Sequence, residues 1–350
     1  MKFKFIACCC AVAALTLTAA GQSAEQPLQA LFTSVGLNAQ QRSDIQAGKP
    51  VAKVLSWGES SEVYVFGAVH IDGSPAAYLK SSRNVSRLAG TQGYLGIGEL
   101  PADPTVADLS GLTIDPDDIK ALKSCKEGDC DVQLPSAGIQ AFHDAVNWSQ
   151  PDAAAQVNGL ARTRILGLLK EYRSGGNAAL GIYRDKDKPA RVQEEFEKMV
   201  SRSSVLPDVL PELRQYLLKY PEADLPGSDS FFYWEKVDFG MKPTVRVNHG
   251  VVHRSQKGNH AISAVAIKQL YASHYFHTAL DVSVCVEEPA SAGRPGFYLL
   301  TLKGSEQEGL TGVKGSMLRK IVVDKTRSSL EKALAAIKDT IEKAPTGAER

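Results

Sequence analysis

The stretch KQLYASHYFHTALDVSVCVEEP, residues 268–289, can be interpreted either as a catalytic cluster or as one wall of a sheet. His274 and His277 are three positions apart, so in a strand they point to opposite faces and cannot share a metal ion. The second half alternates, which places four aliphatic side chains on one face: Leu280, Val282, Val284 and Val286. We therefore predict that this stretch is a strand within a sheet.

Further strand patterns surround it in quick succession. They are FFYWEKVDF, PTVRVNHGVVHR, HAISAVAIKQLYA, FHTALDVSVCVEE and GFYLLTL, separated by short polar or Gly/Pro connections. Close spacing without intervening helices predicts an antiparallel meander rather than parallel strands with crossover helices.

A long helix is predicted after the meander. Its apolar positions recur at intervals of four and three residues and form one stripe: Leu330, Leu334, Ile337 and Ile341. This is the pattern of an amphipathic helix that buries one face.

The N-terminal half adds strands and then helices. EVYVFGAVHID forms a predicted hairpin strand with a turn at residues 58–60, and GYLGIGELP is a second predicted strand. A helix is predicted over residues 74–88, and a short one starts at Asp115-Pro116. Apolar periodicity and Pro/Gly breaks predict helices from residue 136 to about 220.

The first residues have the pattern of a secretory signal. Lys2 and Lys4 precede a short uncharged apolar run, and small residues follow near residues 18–21. We predict a cleaved signal peptide over residues 1–24 and a periplasmic or secreted bacterial protein without a transmembrane segment after cleavage; a retained anchor is the alternative.

The remaining organisation is predicted in five parts. These are N-terminal helices and a linker (25–60), the first part of an α+β domain (61–135), a helical insertion (136–226), the meander and C-terminal helix (227–343), and a disordered tail (344–350).

Two cysteines of the mature chain are close in sequence. Cys125 and Cys130 flank Gly128-Asp129, which in an oxidising compartment predicts a disulfide-closed turn. Cys285 is the third and is predicted to be buried on a strand.

Composition excludes some function classes. The net charge is +1 and no block of Lys or Arg occurs, so a nucleic-acid partner is not predicted. The chain has no HExxH, GxSxG, Walker or dinucleotide motif, and we predict neither a metal nor a cofactor, and no catalytic residue.

Six side chains of the meander region are candidate ligand contacts: Tyr233, Glu235, His249, His253, Tyr271 and His274. His249 and His253 share a valine-rich strand face, but four strand residues span about 13 Å, too far for one metal ion. They are either hydrogen-bonded core residues or polar contacts in a ligand cavity. For Glu235 the alternatives are a solvated sheet edge or a cavity contact.

The order of elements resembles the START-like (SRPBCC) helix-grip fold. The resemblance rests on EVYVFGAVHID, on the meander and on the Gly-rich loop before the C-terminal helix. It implies an α+β fold, in which a curved antiparallel sheet grips a long C-terminal helix, and it implies binding of lipids or other hydrophobic small molecules. The helical insertion is a departure from the usual pattern.

A second resemblance covers most of the mature chain. LKSCKEGDCDVQLP, NAALGIY, FYWEKVDFGMKP and YASHYF together are similar to a family of exported bacterial proteins, and this similarity implies no activity.

Three functions follow as hypotheses. The first is carriage of a hydrophobic molecule or lipid in an apolar cavity between the meander and the helix. The second is a non-catalytic scaffold that binds a protein partner. The third is a hydrolase, because Gly67-x-x-His70 with Glu99 downstream is similar to the opening motif of the TraB/Tiki-like family; His70 beside Asp72 is otherwise a solvated turn residue.

Overall fold

A computed structural model describes residues 25–203, 209–257, 260–288 and 296–343. The predicted signal peptide and the predicted disordered tail lie outside these residues. Over the described chain the predicted α+β class is confirmed: a large antiparallel sheet of eight strands carries a long C-terminal helix and further helices. The disulfide-closed turn is present as well, since Cys125 and Cys130 lie at disulfide-bonding distance with their Cα atoms 4.6 Å apart.

The strands are β1 Val51–Leu55, β2 Glu62–Asp72, β3 Tyr94–Leu100, β4 Ile182–Tyr183, β5 Ala190–Arg191, β6 Ser228–Val237, β7 Thr244–Lys257, β8 His260–Ala272, β9 Phe276–Glu287 and β10 Gly296–Gln307. The helices are α1 Glu25–Ser34, α2 Ala39–Gln46, α3 Ala76–Arg83, α4 Pro116–Leu122, α5 Ser136–Ala145, α6 Ala153–Gly175, α7 Val192–Arg202, α8 Pro211–Lys219 and α9 Gly312–Glu342. The helix predicted over residues 74–88 is shorter than expected: α3 ends at Arg83, Asn84 caps it, and a 3-10 turn follows over Val85–Leu88.

The large sheet has the order β1-β2-β10-β9-β8-β7-β6-β3. Strands β6 to β10 are the predicted meander, in which each strand pairs with the next along the chain. The N-terminal hairpin β1–β2 adds to β10 at one side, with Gly67 opposite Thr301. Strand β3 adds to β6 at the other side. The short pair β4–β5 forms a separate small sheet.

Helix α9 packs on β2 through the predicted apolar stripe. Leu330 and Leu334 are buried, and a Cβ placed on Gly67 would lie 2.8 Å from a methyl carbon of each. Glycine at this position therefore permits the close approach of the helix to the sheet. Arg319, earlier in α9, donates hydrogen bonds to the carbonyl oxygens of Ser60 and Glu62 at the start of β2.

The sheet curves toward α9. In a flat sheet the β6–β7 turn would lie roughly 20 Å away from β2, because adjacent strands are about 4.8 Å apart. Lys325 of α9 nevertheless reaches this turn, and a Cβ placed on Gly240 would lie 3.5 Å from its Nζ. The face that carries α9 is therefore concave. Helix α3 packs on the same face, since Leu79 shares a core cluster with Phe231 and Val265.

The opposite, convex face is covered by helices from two parts of the chain. Phe32 of α1 and Ile45 of α2 share a core cluster with Phe66 of β2. Phe196 of α7 belongs to the same cluster, and Leu169 of α6 packs in the neighbouring cluster with strands β6 and β7. Helices of the predicted insertion thus cover the face of the sheet that lies away from α9.

Candidate functional site

A buried polar cluster lies on the concave face. Four side chains, which we call the concave-face cluster, form it: Glu235, Arg246, Asn248 and Gln269. Arg246 Nη1 lies 3.1 Å from Glu235 Oε1, and Asn248 Nδ2 donates to the same oxygen at 3.1 Å. Arg246 Nε donates to Gln269 Oε1, also at 3.1 Å. Glu235, Asn248 and Gln269 are at most 3% exposed, so the cluster is a hydrogen-bonded polar group within the fold.

Strand register brings these side chains together. Opposite residues of antiparallel strands project to the same face, and β6 pairs Tyr233 with Asn248 and Glu235 with Arg246. A bulge between Val247 and Asn248 shifts the pairing with β8, so that Asn248 lies opposite Gln269. Valines alternate with Arg246 and Asn248 along β7, and therefore project to the convex side.

The electrostatics keep Arg246 charged and the neighbouring phenols neutral. Burial is the largest single influence on the pKa of Arg246 and lowers it, but the neighbouring acidic groups, Glu235 first among them, together outweigh burial and hold the pKa above its ordinary value. Burial, and then the Glu235 charge, hold the pKa of Tyr233 well above 10. The same two causes raise the pKa of Tyr94 to about 12. One acceptor is left over: Asn248 Oδ1 is buried and has no hydrogen-bond partner among the described residues.

Part of the concave face stays accessible between α3 and α9. Asp281 of β9 and Lys303 of β10 form an ion pair there, and each side chain is 36% exposed. Ile267 and Ile97 are partly buried on the same face. We call this region the open concave floor. A separate depression of about 400 Å³ lies beyond the start of α3, lined in part by Arg254 and Glu287.

His249 belongs to a different network, on the convex face. Its Nδ1 lies 3.1 Å from the Tyr172 hydroxyl and its Nε2 lies 2.7 Å from the Ser230 hydroxyl. Lys268, which is fully buried, donates to the Tyr172 hydroxyl at 3.3 Å and to Asn177 Oδ1. Lys268 Nζ also lies over the ring of Phe196. His249 is therefore a hydrogen-bonded core residue, one of its two sequence-based interpretations.

The direction of these hydrogen bonds disfavours a Ser–His catalytic pair. If Lys268 donates to Tyr172, the phenol donates to His249 Nδ1, and Nε2–H then donates to Ser230. The serine oxygen is an acceptor in this arrangement and is not activated by a base. Burial, followed by the Lys268 charge, also lowers the pKa of His249 to about 3, far from the value that suits a general base near neutral pH.

The other predicted side chains occupy separate places. His253 is buried on the convex face, with Nε2 3.6 Å from Glu212 Oε1. Tyr271 and His274 lie near α4 and the residues after the disulfide: the Tyr271 hydroxyl donates to the Gln133 carbonyl at 3.1 Å, and His274 Nε2 lies 2.8 Å from Asp118 Oδ2.

The six candidate contacts are thus divided among three locations. Tyr233 and Glu235 are on the concave face, His249 and His253 are on the convex face, and the last two lie at the β8–β9 end. The interpretation of Glu235 as a solvated sheet edge is wrong, since this carboxylate is buried and paired with Arg246.

The proposed hydrolase residues do not meet. His70 projects from β2 toward the convex side, and Glu99 lies on β3 at the other end of the strand order, where it pairs with Arg83 at 2.6 Å. His70 is buried, with Nε2 3.1 Å from Glu288 Oε2, so its interpretation as a solvated turn residue is wrong.

Sequence reasoning missed Arg246, Asn248 and Gln269. The sequence contained a signal for Arg246 and Asn248. Both alternate with valines in VRVNHG, so both project to the strand face opposite the valines. Gln269 could not be assigned in this way, since a bulge determines its place.

Comparison with protein-family models and with curated proteins gives no family for this chain. Neither the protein-family models nor the curated proteins include a match to it. In the described part of the chain, no cluster of His, Cys, Asp and Glu has the arrangement of a metal site, and no helix combines the length and the apolar character needed to cross a membrane.

Proposed function

We propose that the protein is an exported binding protein that holds a small amphiphilic molecule, such as a lipid, on the open concave floor between α3 and α9. The observation that carries this proposal is that this floor is accessible and places the Asp281–Lys303 ion pair beside partly buried isoleucines. The unpaired Asn248 Oδ1 lies on the same face, but it is buried below the floor.

The chemistry of the floor defines the ligand. The sequence predicted an apolar hollow, whereas Glu235, Arg246 and the Asp281–Lys303 pair give this face a polar floor. A matching ligand carries a polar head group that contacts the Asp281–Lys303 pair. Its apolar part lies along the partly exposed Ile267 and Ile97, where each Å² removed from water contributes about 25 cal/mol.

The depression beyond α3 supports a ligand less well. It contains both Arg254 and Glu287, but no unpaired buried polar atom of the described residues belongs to its lining. Export is supported by the signal-like N-terminus and by the cysteine pair at disulfide distance.

The test is native mass spectrometry of the purified full chain, followed by organic extraction. We expect a co-purifying amphiphile with the wild type. Asp281→Trp places an indole on the open concave floor at a part-exposed position and should remove the bound molecule. Asp224→Trp, at an exposed position away from this floor, is the matched control and should retain it.

Two outcomes would reject the proposal. One is a wild-type protein that carries no small molecule from its native compartment. The other is full retention of the ligand by Asp281→Trp. A stable protein partner without any ligand would instead favour the scaffold hypothesis.

A further inference from the structure

The first turns of α9 carry an unusual concentration of exposed apolar side chains. Val313 is 91% exposed, Met317 is 74% exposed and Ile321 is 49% exposed; Leu318, beside them, is 37% exposed. These are four of the seven large apolar residues that are exposed in the described chain. Scattered single residues of this kind need no explanation, but a contiguous group on one helix marks an interaction surface.

The group forms one face of the helix. Val313, Met317 and Ile321 follow each other at intervals of four, so they lie above one another along the helix. Gly315 and Val323 are buried on the other side, where α9 packs on the protein. The exposed stripe is therefore outside the core, and no described element covers it.

Basic side chains flank the stripe. Lys314, Lys320 and Lys325 are exposed, and Asp324 is the single acidic residue between residues 312 and 326. Arg319 is used differently: it binds the carbonyls of Ser60 and Glu62 and fixes this part of α9 to the sheet. The helix segment that carries the stripe is thus fixed to the sheet, and exposed lysines flank the stripe.

We infer that this surface docks on an anionic phospholipid bilayer. An apolar stripe between lysines is the arrangement by which a helix lies in a membrane interface, with the stripe among the acyl chains and the ammonium groups at the phosphates. A second copy of the chain fits less well, because two such faces would bring their lysine borders together. Lys325 also lies beside Gly240, so docking places the edge of the concave face close to the bilayer.

Membrane docking does not depend on the proposed ligand. A protein with an empty concave floor could still dock through this stripe, and a ligand carrier could lack membrane affinity. The two experiments therefore fail separately.

The test is co-sedimentation of the full chain with vesicles. We expect binding to phosphatidylcholine vesicles that contain phosphatidylglycerol, weak binding to pure phosphatidylcholine, and loss of binding as salt increases. Met317→Ser with Ile321→Ser should lower the apparent affinity on the order of tenfold or more, since two exposed apolar side chains are removed. Lys314→Gln with Lys320→Gln should remove the preference for anionic vesicles.

Val106→Ser is the matched control, because Val106 is 40% exposed but lies outside α9. Its binding should equal that of the wild type, and thermal melts should show that all variants are folded. The inference is overturned if the wild type does not bind anionic vesicles at low salt, or if the Met317/Ile321 variant binds them equally well. It is also overturned if light scattering shows a wild-type dimer that this variant converts to a monomer.

Discussion

The contact between Gly67 and α9 can be tested by filling and then emptying the same space. In Gly67→Ala the new methyl group would lie 2.8 Å from Leu330 Cδ2 and from Leu334 Cδ1. Optimal carbon–carbon contacts are about 3.5–4.0 Å, so the overlap is roughly 1 Å with each leucine. Both leucines are buried, and overpacking of this kind costs about 1–3 kcal/mol. Because glycine is less favourable than alanine within a strand, Gly67→Ala also stabilises the fold by about 0.5–1 kcal/mol, which offsets part of this cost.

Leu334→Ala perturbs the contact in the opposite direction. The side chain is fully buried, so truncation should lower the free energy of unfolding by about 2–5 kcal/mol. In the double variant the methyl group introduced by Gly67→Ala occupies part of the space that Leu334 leaves. We therefore expect the double variant to be more stable than the sum of the single effects predicts, by about 1 kcal/mol or more.

Urea unfolding monitored by tryptophan fluorescence measures all four proteins of this cycle. Leu318→Ala is the control on the same helix; because Leu318 is 37% exposed, its effect should stay within about 0.5 kcal/mol. Single effects that add within about 0.3–0.5 kcal/mol would show that Leu334 does not pack on Gly67. The grip of the sheet on α9 would then be rejected.

Three further variants test other parts of the structure. Cys125→Ser should lower the free energy of unfolding by about 2 kcal/mol under oxidising conditions; a wild-type melting temperature that does not respond to reductant would contradict this. Burial raises the pKa of Asp185 from 3.8 to about 6, so the folded state binds more protons over that interval and loses stability as pH rises through it. At pH 7, Asp185→Asn should have a free energy of unfolding higher than that of the wild type, on the order of 1–3 kcal/mol, and should not lose stability over this pH interval. If the stabilities of the variant and the wild type change with pH in parallel, the raised pKa of Asp185 is refuted. Glu235→Gln leaves Arg246 without its carboxylate and should cost about 3–5 kcal/mol, most of which should return in Glu235→Gln with Arg246→Met; a double variant no more stable than the single one would contradict the pairing.

The elements with a regular apolar period were predictable from sequence. The valines of β9 and the Leu330–Leu334 stripe of α9 each place one face in the core, and a strict period of two or of three to four residues indicates both the element and its buried side. The turn at residues 58–60 and the cysteine pair are local signals, and the structure contains both.

Properties that depend on distant parts of the chain were not predictable. Alternation shows that Glu235 and His249 project to particular strand faces, but not which helix covers each face. That assignment depends on the curl of the whole sheet, which places α9 on one side and α6 on the other. Glu235 can be buried because Arg246 on the next strand pairs with its carboxylate. The pattern of a single strand does not contain this information.

The strand order has a consequence for how the chain reaches its native state. β6 to β10 can pair as neighbours soon after they are made, but β2 must find β10 from the far end of the chain. Until this happens, the meander presents an unprotected edge to which another chain can add. Pairing over such separations is slow, because the loop must close before the contacts form. For an exported chain, as proposed above, the five neighbouring strands β6 to β10 would pair first, and the sheet would reach its full width only after β2 and β1 have added to the open edge of β10.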